Sequence, residues 1–161
     1  MTILIRPARL SDAQGMIDVL NPLIREGGTT AMPKELTVAE QEAFLSALTP
    51  RDACHVAVDG DDVIGYQSIE AHSALPPHIA EIATFVRIGE KGRGVGSRLS
   101  AASFAAAAAN GFTEINATIR ADNFEGLAFY TKMGFRDHSV ARARPLATGK
   151  LVDRVSKRRA L

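Results

Sequence analysis

The stretch Glu90-Lys91-Gly92-Arg93-Gly94-Val95-Gly96-Ser97-Arg98-Leu99 decides how the rest of the chain is read. Its three alternating glycines stand before an alanine-dense segment, residues 95–110, that predicts a strong helix with Gly111 as its stop. Before them, residues 79–87 are rich in β-branched and aromatic side chains and predict a strand. The glycines therefore occupy a strand-to-helix turn. Glycine lets the backbone come close to a ligand, and successive N–H groups at a helix N-terminus favour an anion such as a phosphate or pyrophosphate. The competing reading is a turn whose glycines serve geometry alone, and spacing by itself does not separate the two. Two familiar phosphate loops are excluded. Gly96 is followed by Ser97-Arg98, where a P-loop requires Lys and then Ser or Thr. Gly92, Gly94 and Gly96 lack the Gly-x-Gly-x-x-Gly spacing of a dinucleotide turn, and the loop lies mid-chain rather than after a first strand.

Upstream, residues 2–6 alternate and predict a first strand. Ser11 with Gln14 has the capping-box form for a helix running to about Leu23, and Thr37 with Glu40 has the same form for a second helix carrying Ala43, Phe44 and Leu48. Residues 54–58 and 63–72 flank Asp59-Gly60-Asp61-Asp62 and predict a hairpin, which Pro76 and Pro77 end. Downstream, residues 115–119 predict a strand and residues 123–133 a helix closed by Gly134. Extended patches follow at 135–140 and 151–155, and the basic ending Lys150, Arg154, Lys157, Arg158 and Arg159 reads as a solvated strand face and frayed tail. Hairpins mixed with crossovers predict an α/β fold: a mixed, predominantly antiparallel sheet with helices on both faces, in one domain over residues 1–161.

With 46% hydrophobic and 23% charged residues, the chain has the composition of a globular protein. A net charge of +1 provides no long-range field toward nucleic acid or an acidic membrane, so neither is an expected partner. No window has the apolar length of a membrane span, and the first residues lack the pattern of a signal peptide. Cys54 is the single cysteine, which suits a reducing cytoplasm, and no His–Asp partnership beside it suggests a nucleophile. His55, His72, His78 and His138 lack metal-ligand spacing, and no metal is expected.

Phe85-Val86, a short loop and then Lys91-Gly92-Arg93-Gly94-Val95-Gly96 with Leu99 resemble the acyl-CoA loop of GNAT acetyltransferases, an Arg/Gln-x-x-Gly-x-Gly pattern. Lys91 departs from it, offering a point charge without a guanidinium fork. Asn123, Ala128, Phe129, Tyr130, Lys132, Gly134 and Phe135 resemble the family's second motif, in the right order and context. Within the family the chain is similar to the phosphinothricin and amino-acid-analogue acetyltransferases. The similarity lies in Glu81 at the matching distance before the loop, Thr29-Thr30-Ala31, and the ending Gly149-Lys150-Leu151-Val152-Asp153-Arg154-Val155. The Arg-x-x-Tyr segment of that group is replaced by Leu75-Pro76-Pro77-His78.

The resemblance implies acetyl-CoA as cofactor, a small-molecule primary amine as acceptor, direct transfer in a ternary complex, and a homodimer. It implies cofactor contacts from Phe85, Val86, Arg87, Lys91, Gly92, Arg93, Gly94, Val95, Gly96, Ser97, Asn123 and Tyr130. Glu81 would be the general base and Tyr130 the acid that protonates the leaving thiolate. Plainer readings stand beside these. Glu81 could be a solvated strand residue, Tyr130 a ring packed on Phe129 and Phe135, Asn123 a helix cap, and Phe85 and Val86 strand core. The rival functions are a protein or peptide acetyltransferase and a non-catalytic acyl-CoA-binding module.

Overall fold

Period-two apolar segments pair into a seven-stranded sheet in the computed structural model, which describes residues 2–161. The strands are β1 (Ile3–Pro7), β2 (Ala53–Asp59), β3 (Asp62–Ala71), β4 (Ile79–Val86), β5 (Glu114–Arg120), β6 (Arg136–Pro145) and β7 (Leu151–Ala160), arranged β1-β2-β3-β4-β5-β7-β6. Every neighbouring pair is antiparallel except β4–β5. The helices are α1 (Ala13–Glu26), α2 (Val38–Ala47), α3 (Val95–Ala109) and α4 (Phe124–Lys132). The mixed sheet expected from the sequence is present, with α1 and α2 on one face and α3 and α4 on the other. Met16 and Leu20 of α1 pack with Cys54, Val56 and Tyr66. On the opposite face Ala80, Ile82, Ile115, Ala117 and Ile119 pack with Ala107, Tyr130 and Phe135.

The second capping box forms as expected: Thr37 Oγ1 accepts from Glu40 N, and the Glu40 carboxylate accepts from Thr37 N, both at 3.1 Å. The first does not. A 3₁₀ turn at Leu10–Asp12 precedes α1, and Asp12 instead of Ser11 organises it. The Asp12 carboxylate accepts from Arg9 N at 2.7 Å and from the Arg6 guanidinium fork at 2.7 and 2.9 Å. A bidentate charged pair outweighs a neutral hydroxyl cap there. Helix α1 also outruns Leu23 to Glu26, ending where Gly27 turns to φ 75°.

The ending is not a frayed tail. Strand β7 runs to Ala160, paired to β5 from Arg154 to its end, and Lys157 is buried with its ammonium on Thr131 Oγ1 at 3.1 Å and on Asp137. Cross-strand partners distant in sequence supply the order that local composition hides.

One feature of the register positions the site. The β4–β5 pairing runs from Ile79↔Glu114 only to Ile82↔Ala117. Strand β4 continues on β3 to Val86↔Gly65, and β5 continues on β7 to Arg120↔Arg154. The two central strands therefore part, leaving the β5-facing backbone groups of residues 83–86 without a strand partner.

Candidate functional site

The parting of β4 and β5 is a cleft whose walls are polypeptide backbone. An extended ligand arm can satisfy those free N–H and C=O groups by adding itself as a strand. Where β4 ends, the glycine loop turns into α3. Gly92 and Gly94 have φ of 81° and 71°, and α3 begins at Gly94 without a side-chain cap. Among the described residues nothing lies within 4 Å of where a β-carbon on Gly92 or Gly94 would sit. The first N–H groups of α3 are thus left for an anion.

Gly96 differs from its neighbours. A β-carbon there would stand 2.7 Å from the Phe129 ring, so this glycine lets α3 and α4 pack closely. Val95 and Leu99 are core residues, and Ser97 lies in the first turn of α3. Lys91 is exposed and pairs with Glu125 at the start of α4. The Arg87 and Arg93 side chains turn away from the cleft: both bind Glu90 at 2.6 Å, and Arg93 also reaches Asp59 at 2.9 Å. They brace the loop against the β2–β3 hairpin.

Asn123 caps α4, its Oδ1 accepting from Gly126 N at 3.0 Å while Nδ2 donates to Thr29 O at 3.3 Å. Buried Arg120, at the end of β5, donates to Thr30 O at 3.0 Å and forks onto Asp122 at 2.7 and 2.9 Å. Together they tether the segment between α1 and α2 to the mouth of the cleft.

Glu81 lies on the α1–α2 face and is not a freely solvated strand residue. Asn116 Nδ2 donates to its two carboxylate oxygens at 3.0 and 3.2 Å, and Thr118 Oγ1 donates at 3.1 and 3.3 Å. Burial nevertheless raises its carboxyl above the usual range, with these donors and the charges of His72 and Arg158 pulling the other way. Glu70 sits opposite it across β3–β4, and burial raises that carboxyl too.

Tyr130 combines both readings made of it. Its ring packs on Phe129 and Phe135 with centroids 5.0 and 5.1 Å away, while its hydroxyl lies 2.8 Å from Thr84 Oγ1. Burial pushes the phenol up to about 12, Thr84 lowering it and the charge of Glu81 raising it. Thr84 belongs to the unpaired part of β4, so this hydroxyl is beside the cleft. Phe85 points to the other face, its ring 5.1 Å from Tyr66.

Thr84, Asn116, Thr118, Gln67 and Ser100 were not singled out from the sequence. Strand alternation from Ile82 places Thr84 on the helix-α3 face, but the pairing that brings Asn116 and Thr118 to Glu81 depends on a parallel register with no local signal. Among the described residues no three His, Cys, Asp or Glu side chains form a metal-binding group. Burial pushes the Cys54 thiol up to about 12, an inert rather than reactive cysteine.

Three comparisons bear on this geometry. A phosphinothricin N-acetyltransferase of Streptomyces coelicolor is 29% identical over 139 residues, covering 82% of this chain and 81% of that protein. A phosphinothricin acetyltransferase of Sinorhizobium meliloti solved with acetyl-CoA superposes with a TM-score of 0.89 at 22% identity, over 100% of this chain and 89% of that one. YncA of Salmonella typhimurium, solved with its cofactor acetyl-CoA, gives a TM-score of 0.91 at 17% identity over 100% and 95%. The model of the acetyltransferase (GNAT) family matches residues 17–135. On that match the chain belongs to the GNAT acetyltransferase family.

Proposed function

We propose that this protein is an acetyl-CoA-dependent N-acetyltransferase acting on the primary amine of a small molecule, an amino acid or its analogue, by direct attack in a ternary complex. The observation that carries the proposal is the placement of a half-buried carboxylate and a buried phenol at one parting of strands. Glu81 is reached from the α1–α2 face, and Tyr130 stands on the α3–α4 face. The free backbone groups of residues 83–86 suit a pantetheine arm, and the open space at Gly92 and Gly94 before an uncapped helix suits a pyrophosphate. Acetyl-CoA, when bound, supplies an electrophilic thioester and a thiolate leaving group.

The chain's own groups do the rest. The backbone of residues 83–86 orients the reactants and offers an N–H toward the thioester oxygen. Glu81, its carboxyl raised by burial above the usual range, accepts the acceptor's ammonium proton, directly or through water. Tyr130 keeps its proton at neutral pH and is placed to hand it to a departing thiolate. The phosphinothricin relatives favour a small acceptor. A reducing cytoplasm suits the single buried thiol of Cys54, and a homodimer has the exposed β6 edge available to it. Acetyl-CoA is expected to raise the melting temperature by mass action while NAD leaves it unchanged. A shift with NAD and none with saturating acetyl-CoA would contradict the proposal.

A further inference from the structure

A chain of hydrogen bonds runs through the core from the glycine loop to Tyr130. Ser100 Oγ donates to Gly96 O at 2.8 Å. Gln67, with no exposed surface, donates from Nε2 to Ser100 Oγ at 3.1 Å and to Thr84 Oγ1 at 2.9 Å. Thr84 Oγ1 in turn meets Tyr130 Oη at 2.8 Å.

The donor inventory fixes Gln67 as the donor in the middle of this chain. The Gln67 amide nitrogen has two hydrogens and two acceptors, and its Oε1 is a buried atom without a partner among the described residues. Exchanging oxygen and nitrogen would leave two buried donors unpaired, because the Ser100 proton is already committed to Gly96 O. Thr84 Oγ1 therefore accepts from Gln67; either hydroxyl of the Thr84–Tyr130 pair can donate to the other, and with Thr84 as the donor the Tyr130 proton is free for the cleft.

We infer that Gln67 and Thr84 are positioning residues that hold the Tyr130 hydroxyl as an acceptor from the core and aim its proton into the cleft between β4 and β5. This rests on the reading of Tyr130 as proton donor. No bond in the relay is broken: the Tyr130 O–H proton passes to the departing sulfur, and the phenolate left behind keeps the Thr84 O–H bond until it is reprotonated from solvent. The unpaired Oε1 of Gln67 fits an arrangement that stability alone does not favour, since a leucine would leave no orphan there. The relay also joins Tyr130 to Gly96 in the first turn of α3, so the acid and the anion site share one support.

The test is steady-state release of CoA thiol from acetyl-CoA with a panel of phosphinothricin, α-amino acids, diamines and short peptides. The enzymes are wild type, Thr84→Val, Thr84→Ser, Gln67→Met, Tyr130→Phe and Thr84→Val/Tyr130→Phe. The relay expects kcat to fall about 10-fold or more in Thr84→Val and Gln67→Met with the KM for acetyl-CoA little changed. Thr84→Ser, which keeps the hydroxyl, should recover most of the rate. Adding Thr84→Val to Tyr130→Phe should cause no further loss, because the relay acts only through the phenol. A Thr84→Val loss as large in the Tyr130→Phe background as in wild type would overturn the relay while leaving Tyr130 as the acid. Full kcat in Tyr130→Phe, or a wild type that uses no amine, would remove the acid reading and the relay with it. Melting temperatures of the variants identify any that fail to fold, and Thr84→Ser against Thr84→Val remains a fair comparison if Gln67→Met does.

Discussion

Asn116 Nδ2 reaches both carboxylate oxygens of Glu81, at 3.0 and 3.2 Å, from the adjacent parallel strand. The bonds favour the charged carboxylate while burial opposes it, and burial prevails. A base poised this way loses activity as acid protonates it, at a pH above the ordinary carboxylate range.

Glu81→Gln is therefore expected to slow turnover most at pH between the carboxyl and amine pKa values, where wild type has a charged base and few acceptor amines are already free, and least as pH nears the amine's own pKa. Asn116→Ala removes a bond to the charged form, so the Glu81 carboxyl rises further and the acid limb of the kcat profile moves to higher pH. Profiles of the two variants read this directly. An acid limb unmoved in both would place the base elsewhere.

Tyr130→Phe deletes the hydroxyl and keeps the ring between Phe129 and Phe135. The expected loss is in kcat, on the order of 10² for a general acid, with acetyl-CoA affinity little changed. A drop in melting temperature with normal kcat would show a tyrosine that only packs.

Gly94 and Gly96 should separate binding from stability. Gly94→Val replaces a residue at φ 71° beside open space, and the branched side chain obstructs approach to the α3 N-terminus. It should weaken CoA binding in a protein that still folds. Gly96→Ala drives a methyl to 2.7 Å from the Phe129 ring, so it should lower stability by about 1–3 kcal/mol. Calorimetry and thermal melting distinguish the two, and equal CoA affinity in Gly94→Val and wild type would displace the anion site from this loop.

The order of elements was legible because each carries a local signal: alternation in the strands, the Thr37–Glu40 box, alanine density in α3 and glycines at the turns. The glycine loop and the Tyr130 motif were legible for the same reason. What escaped was set by pairing at a distance. Asp12 displaced Ser11 as the organiser of α1 because the side chain of Arg6, in the strand that precedes the turn, folds back onto it. The ending is a full strand because β5 lies beside it. The ion pairs that Arg87 and Arg93 make with Glu90 and Asp59 likewise had no local signal. The surroundings of Glu81 depend on where the β4–β5 ladder stops, which is a property of the assembled sheet and not of either segment.

The central claim, transfer of acetyl from acetyl-CoA to a small primary amine, is tested most directly by amine-dependent release of free CoA thiol by the wild-type protein across small amines and peptides. Cys54 is buried with its thiol pushed up to about 12, so the protein itself adds little to a thiol readout under native conditions. The account predicts turnover with at least one small amine, with the acetyl group recovered on its nitrogen. Acetyl-CoA binding without release by any amine would leave an acyl-CoA-binding module, and release by peptides alone would make this a protein-modifying enzyme; either result contradicts the account.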